Sequence, residues 1–267
     1  IREQHICGPS GNLVRIEIFV HGALCMAVSG KCYISLDNFN SSANKGACLQ
    51  PCRRAYTVKD ADSQVELDID NKYIMSPKDL MTIPILNRLL DAGVTVLKIE
   101  GRGRSAEYVK TVTRTYHEAV EAWATGKYTS ENVDKWTTQL REVYNRGFWG
   151  GYYLGEKTGE WSEKYGSQAT TKKVYVGKVV NYFSNLMVAE VKIETHALRL
   201  ADKILVMGPT TGVYESIVNE LRVEQTPVEQ AIKGQNCSIP VTELLRRGDK
   251  VYIVVDSKHP LFPTQTV

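Results

Sequence analysis

The sequence predicts an α/β chain in two parts: an incomplete set of parallel βα units, then a small all-β barrel or sandwich. Three observations predict it. Over the first half, strand-like apolar runs alternate with helical stripes, the pattern of parallel βα units. After Thr171 the texture changes to short β-branched runs separated by turn residues, the pattern of a small barrel or sandwich. The first half holds too few βα units for a closed barrel or a full doubly wound sheet, so a further N-terminal portion is expected before Ile1.

Arg15 to Gly22 reads as the first strand, since β-branched and aromatic residues run into a glycine. From Ala23 to Arg54 no period is sustained. This stretch is expected to be an irregular functional loop, with a small hairpin near Gly30-Lys31. Residues 55–72 are charged and suit a hairpin excursion. Tyr73 to Ser76 reads as a short strand. Ser76 or Pro77 is then expected to open a helix, with Asp79 in its first turn and Leu80, Ile83, Leu86, Leu89 and Leu90 on its apolar face, closed by Gly93. A carboxylate in a first turn is favoured by the helix dipole, so Asp79 reads as structural.

Val94 to Gly101 is nearly continuous and apolar, the kind of strand buried on both faces of a parallel sheet. Ser105 caps a helix to about Thr125, with Tyr108, Val109, Val112, Tyr116, Ala119, Val120 and Trp123 on one stripe. A further helix spans about 130–144, and an aromatic, glycine-rich run follows from Arg146 to Gly155. Its Phe148, Trp149, Tyr152 and Tyr153 suit an interdomain seam. About six strands complete the chain. The domains are read as 1–126, an incomplete βα portion with a four-cysteine loop; 127–171, a helical and aromatic connector; and 172–267, a small β-domain.

Composition excludes some classes. Of 267 residues, 43% are hydrophobic and 24% charged, which rules out disordered and collagen-like chains. No apolar run is long enough to cross a membrane as a helix, and no secretory leader is read at Ile1-Arg2-Glu3-Gln4, so a cytoplasmic location is expected. The net charge of +3 decides nothing about partners.

The six cysteines carry more information. Four of them, Cys25, Cys32, Cys48 and Cys52, fall in the irregular loop. Four soft thiolates suit a zinc ion or an iron–sulfur cluster. The wide gap between Cys25 and Cys32 fits the zinc template only in part, and free buried cysteines or redox disulfides remain open on spacing alone. Cys7 and Cys237 read as ordinary cysteines.

Several motifs in order resemble the peptidase U32 family: Glu17-Ile18-Phe19-Val20-His21-Gly22-Ala23-Leu24-Cys25, Ser29-Gly30-Lys31-Cys32, Asn44 to Arg53, Tyr73 to Leu80, and Leu97-Lys98-Ile99-Glu100-Gly101-Arg102. Gly177, the Gly208-Pro209 turn and Gly248-Asp249 are similar to that family's C-terminal β-domain. The resemblance implies that residues 1–126 are the C-terminal portion of a TIM-like (β/α) barrel, its last three βα units with the others before Ile1. It also implies a [4Fe–4S] cluster on Cys25, Cys32, Cys48 and Cys52 (zinc being the alternative) and hydroxylation of a tRNA or rRNA nucleobase. The family name implies instead a collagenase-like peptidase. No His-Glu-x-x-His pair or Gly-x-Ser-x-Gly elbow supports that activity. A third reading is a non-catalytic fragment or accessory subunit that needs a partner chain to complete the barrel.

The remaining candidates follow from position. His21 ends a strand that would point to a barrel mouth, where it could move a proton or orient a ligand. Lys98 and Glu100 share one face of a strand expected to be enclosed, where charges need partners. They join His21 as candidate catalytic residues. Arg53, Arg54, Arg102 and Arg104 form a candidate RNA-binding rim beside Tyr56.

Overall fold

The computed structural model describes residues 1–27, 32–59, 61–62, 66–67 and 73–259. The Gly30-Lys31 hairpin and half of the 55–72 excursion lie outside these residues. The chain divides into two compact units. One comprises Ile1–Arg104 and Thr111–Ala169; the other comprises Ser105–Lys110 and Thr170–Val267. No helix among the described residues is long and apolar enough to cross a membrane.

The first unit is built on strand β1 (Glu17–Gly22). Helix α1 (Ile34–Phe39) follows in the cysteine loop, with 3-10 turns at Ala43–Lys45 and Pro51–Arg53. Strands β2 (Val58–Lys59) and β3 (Glu66–Leu67) form a small antiparallel ladder. Then come β4 (Asp79–Met81), α2 (Leu86–Asp91), β5 (Val96–Ile99), α3 (Ala106–Ala124), α4 (Ser130–Glu142) and β6 (Phe148–Trp149).

The main sheet of this unit runs β5-β1-β4-β6. β1 is parallel to β5 but antiparallel to β4, and β4 is parallel to β6. This mixed, four-stranded sheet corrects the expectation of consecutive parallel barrel strands. The described residues do not form a TIM barrel.

The helix expected from Ser76 is also corrected. Asp79 lies in strand β4, and helix α2 begins only at Leu86. Pro84 is the physical reason. A proline inside a helix removes a hydrogen bond and clashes with the preceding turn. Residues Ile83–Ile85 therefore form a 3-10 turn, and the chain before them is free to pair as a strand. Tyr73 and the next residues form a turn closed by Ser76 N–H donating to Tyr73 O, not a strand.

Helix α3 has a narrower buried face than its stripe predicts. Tyr108, Val112, Tyr116 and Ala119 are buried, whereas Val109 and Trp123 are exposed and Val120 is half-buried. Its first turn, Ala106–Lys110, belongs to the second unit. Tyr116 ties helix to sheet. Its hydroxyl donates to Val20 O at 2.7 Å and accepts from Thr82 N–H at 3.1 Å. Thr129 caps α4 by accepting from Asn132 N–H, and Trp136 and Leu140 are its buried residues. The aromatic run is part of this unit itself. Phe148 and Trp149 extend the sheet, Trp149 stacks edge-on against Tyr152, and Tyr153 OH donates to Phe19 O at 2.6 Å.

The second unit is antiparallel β. It contains β7 (Thr171–Phe183), β8 (Val188–Ile193), β9 (Leu198–Arg199), β10 (Lys203–Gly208), β11 (Gly212–Ile217), β12 (Arg222–Val223), β13 (Thr226–Pro227), β14 (Gln230–Ala231), β15 (Asn236–Pro240) and β16 (Lys250–Asp256). Eight of them pair in the order β11-β10-β16-β7-β8-β15-β12-β13, and β9 pairs with β14. Alternation sets the inward face: Ala189, Val191 and Ile193 of β8 are fully buried. They join Val176, Val179, Val206, Tyr214, Ile239 and Val251 in one core. The six strands read from the sequence are present, and the short β9, β12, β13 and β14 were not anticipated.

Candidate functional site: a basic pocket beside the cysteine loop

Strand β4 organises the site. Asp79 N–H donates to Gly147 O, Lys78 N–H to Glu160 O, and Ser162 N–H to Ser76 O. These bonds draw the 144–166 segment alongside residues 76–80. They deliver Tyr144, Arg146, Lys164 and Tyr165 to the wall of an open pocket of about 390 Å3. Cys48, Arg53 and Arg54 reach the same pocket from the cysteine loop.

Asp79 is buried, at 1% exposure. Its Oδ2 accepts from Arg104 Nη2 at 3.3 Å and from the Arg146 backbone N–H at 3.2 Å, and its Oδ1 lies 3.4 Å from Arg146 Nη1. The two guanidiniums lie against one ring, 4.0 Å and 5.2 Å from the Tyr144 centroid. Arg146 also reaches Gln50 Oε1 at 3.5 Å. Asp79 is therefore a buried counter-ion that fixes two arginines, not a first-turn carboxylate.

Arg53 plays a different part. It donates to Ser76 Oγ, Pro77 O and Leu24 O at 3.1, 2.9 and 2.6 Å, clamping the loop to the strands. Burial pulls its pKa down, and the nearby Arg146 charge adds to this, against opposing pulls from Cys52, Asp79 and Tyr144. Positive charge is thus concentrated where burial already disfavours it, which suits an anionic ligand. Arg54 sits over the Phe39 ring at 4.8 Å.

The other expected rim residues separate. Arg104 faces Asp79. Arg102 Nη2 reaches Gly46 O at 3.4 Å, pinning the cysteine loop, and Arg102 N–H donates to Glu100 Oε1 at 2.7 Å. Tyr56 OH donates to Pro51 O and braces the same loop. Tyr165 was missed by sequence reasoning, yet its ring is 75% exposed at the pocket and 6.3 Å from that of Tyr73. The pairing of residues 76–80 with the 144–166 segment is long-range, and the one local signal for it, the aromatic run from Arg146, was read as an interdomain seam.

The candidate catalytic residues do not gather. His21 is buried between the Tyr116 and Phe148 rings, 5.6 and 5.5 Å away, with Nδ1 3.5 Å from Tyr116 OH. Burial, and secondarily the Arg104 charge, pull its pKa down to about 3, so the ring is neutral at pH 7. Lys98 is exposed rather than enclosed. It pairs with Glu17 at 3.1 Å and sits 4.9 Å from the Phe19 ring centre. The reason is position: among the described residues β5 pairs with β1 alone, at one edge of the sheet, so it is not enclosed as an inner barrel strand would be. Glu100 turns to the Arg102 backbone instead of to Lys98.

The four loop cysteines are free; Cys25 and Cys48 are exposed, Cys32 and Cys52 half-buried. Burial pushes the Cys52 thiol up, Arg53 opposes this, and Cys25, Cys48 and Cys32 each push it further. The three therefore lie within electrostatic reach of Cys52. Among the described residues, no three His, Cys, Asp or Glu side chains form a ready single-ion site. A single zinc would need its sulfurs about 2.3 Å from one point. A cluster distributes its thiolates over several irons, so four soft donors grouped more loosely fit it in number and chemistry.

Comparison with known proteins bears on this site. The model of peptidase family U32 matches residues 4–163. A Porphyromonas gingivalis protein named collagenase is 60% identical over 252 residues, which is 94% of this chain and 61% of that protein. A tRNA hydroxylation protein of Bacillus subtilis is 28% identical over 248 residues, 88% of this chain and 58% of that protein. An Escherichia coli 23S rRNA 5-hydroxycytidine synthase is 46% identical over 107 residues, 40% of this chain and 16% of that protein. The chain thus spans about three fifths of the length of the first two.

Proposed function

The chain belongs to peptidase family U32, and from that premise we propose that it takes part in hydroxylation of an RNA nucleobase, in tRNA or rRNA. The observation that carries this reading is the pocket. Arg53, Arg54, Arg146 and Lys164 offer charge for phosphates, and Tyr165 offers an exposed ring for a base, next to Cys48 of the four-cysteine loop. The relatives named for tRNA and rRNA hydroxylation support the same class.

Cys25, Cys32, Cys48 and Cys52 would hold a [4Fe–4S] cluster. When bound, it would supply one-electron redox chemistry beside the pocket. The chain's own residues have distinct tasks. Arg146, fixed by Asp79 and Tyr144, presents a guanidinium to an RNA oxyanion. Arg53 holds the loop that carries Cys48 and Cys52 against residues 76 and 77. His21 stays neutral between the Tyr116 and Phe148 rings instead of moving a proton at neutral pH.

The collagenase-named relative supports a second reading, peptide hydrolysis. The geometry gives it less. The only histidine among the sequence candidates is buried against Tyr116 and is too weakly basic to activate a cysteine nucleophile.

Iron, acid-labile sulfide and zinc analysis of anaerobically purified protein tests the cluster. Mass spectrometry of nucleosides from cells lacking the gene, complemented with wild type, Cys48→Ala or Arg146→Gln, tests the reaction. Iron and sulfide with one hydroxylated nucleoside missing, restored by wild type alone, is the expected result. Unchanged nucleosides together with cleavage of gelatin by the pure protein would replace this reading with the peptidase.

A further inference from the structure

The outward face of the second unit carries an arrangement that its fold does not need. Lys250 of β16, Lys178 of β7 and Lys192 of β8 stand directly opposite one another in register, across three adjacent strands. Strands in a sheet lie about 4.8 Å apart. Like charges directly opposite one another weaken a sheet. Three lysines in one rung are therefore a standing cost to folding.

Neighbouring groups only partly relieve it. Glu194 pairs with Lys178 at 2.8 Å and accepts from Tyr175 OH at 2.5 Å. The same Glu194 charge also reaches Lys192, but among the described residues neither Lys192 nor Lys250 forms a close ion pair, and both are exposed. Beyond a bulge, the next rung pairs Tyr252 with Tyr175, their rings 5.6 Å apart and edge-to-face. Lys173, paired with Glu107, lies 5.4 Å from the Tyr252 ring centre. Lysines and partly exposed tyrosines thus interleave on one flat face. A bare polyanion site needs only the charge; the aromatic rung adds a surface on which bases can stack.

We infer that this face is a second binding surface, one that takes single-stranded RNA with its phosphates along the Lys250–Lys178–Lys192 rung and a base against the Tyr252–Tyr175 rung. The inference shares with the proposed function the premise that RNA is the ligand, but needs neither the cluster nor the pocket.

Fluorescence anisotropy of a labelled oligouridylate, titrated with the full chain over a salt series, tests it. The Lys178→Gln/Lys192→Gln/Lys250→Gln variant should bind about tenfold or more weakly. Its salt slope should fall by up to about 2, at roughly 0.7 per lost phosphate contact on a single strand. Tyr252→Leu should weaken binding about 5- to 100-fold and leave the slope unchanged. Circular dichroism melts verify that both variants fold; removing opposed like charges should not destabilise the triple variant.

Equal affinity and slope for wild type and the triple variant would overturn the inference. A triple variant that loses binding while Tyr252→Leu keeps it would mark charge-only polyanion binding, and would overturn the assignment to RNA. Arg53→Gln/Arg146→Gln separates the two readings. If it alone weakens binding, RNA belongs to the pocket only, and the sheet surface falls while the proposed function stands.

Discussion

Arg146 grips Asp79 twice, through its backbone N–H at 3.2 Å and its guanidinium at 3.4 Å. One residue therefore sets both the path of the chain after α4 and the charge at the pocket wall. Removing the carboxylate would leave Arg104 and Arg146 buried beside one another without their shared counter-ion. Asp79→Ala should cost about 3–5 kcal/mol, the range for breaking a buried pair from one side. Asp79→Asn should cost less, because the amide oxygen can still accept one bond. Urea unfolding midpoints at neutral pH give the comparison. If Asp79→Ala unfolded at the wild-type midpoint, Asp79 would not be the anchor of the site.

His21 predicts an acid-labile first unit. Its folded pKa of about 3 lies below the ordinary value of 6.5, through burial and then the Arg104 charge. Above pH 6.5 the ring is neutral in both folded and unfolded chains, and its contribution is complete. As pH falls through 6.5, the unfolded chain gains a proton that the folded one refuses. Stability is then lost at up to about 1.4 kcal/mol per pH unit until about pH 3. His21→Gln removes this dependence. The stability difference between wild type and variant, followed by urea unfolding, should shrink as pH drops from 6.5 to 3. A difference that stays constant with pH would mean that His21 titrates normally.

How much of this was legible in the sequence depended on the range of the interaction. The α3 stripe and the alternation in β8 are local patterns. The first predicted the buried Tyr108, Val112, Tyr116 and Ala119 but also took in the exposed Val109 and Trp123, and the second predicted its buried face. The four cysteines were legible by type and order. Asp79 was misread because Leu80, Ile83, Leu86 and Leu90 imitate a helical face, while Pro84 vetoes the helix across them. Lys98 was misread because the apolar run around it resembles a central strand, whereas β5, among the described residues, pairs on one side only. The pocket depends on bonds from residues 76–79 to residues 147–162, and no sequence period encodes those.

Thiol reactivity separates the loop cysteines from the core. Cys237 lies in β15 at 1% exposure, and burial pushes its thiol up to about 12, with Glu190 adding to the shift. Thiolate, not thiol, reacts with alkylating agents. In metal-free protein near neutral pH, Cys25 and Cys48 should label with iodoacetamide before Cys52, and Cys237 only on unfolding. Mass spectrometry of peptides after timed quenching reads the order. Early labelling of Cys237 would show that the β-unit opens far more readily than its packing implies. If the four loop cysteines hold a metal group, adding it should protect them and leave Cys7 reactive.

Gly177 predicts where the second unit tolerates least. It lies in β7 at the irregularity opposite Val251, just before Lys178. A Cβ placed there would stand 1.9 Å from Lys192 O, a backbone atom that cannot swing aside. Gly177→Ala must therefore force β7 away from β8, breaking the ladder beside the lysine rung. Overpacking of this kind costs about 3 kcal/mol or more, near the top of the usual range. Gly212→Ala is the internal comparison. Gly212 has a φ of +71° in the β10–β11 turn, but nothing within 4 Å of the added atom. It should cost only about 1 kcal/mol, the strain of a left-handed alanine. Thermal melts of both variants decide the point. Equal losses would mean that β7 and β8 can separate at Gly177 without penalty, and the in-register rung of three lysines would lose the rigid spacing on which its charge density depends.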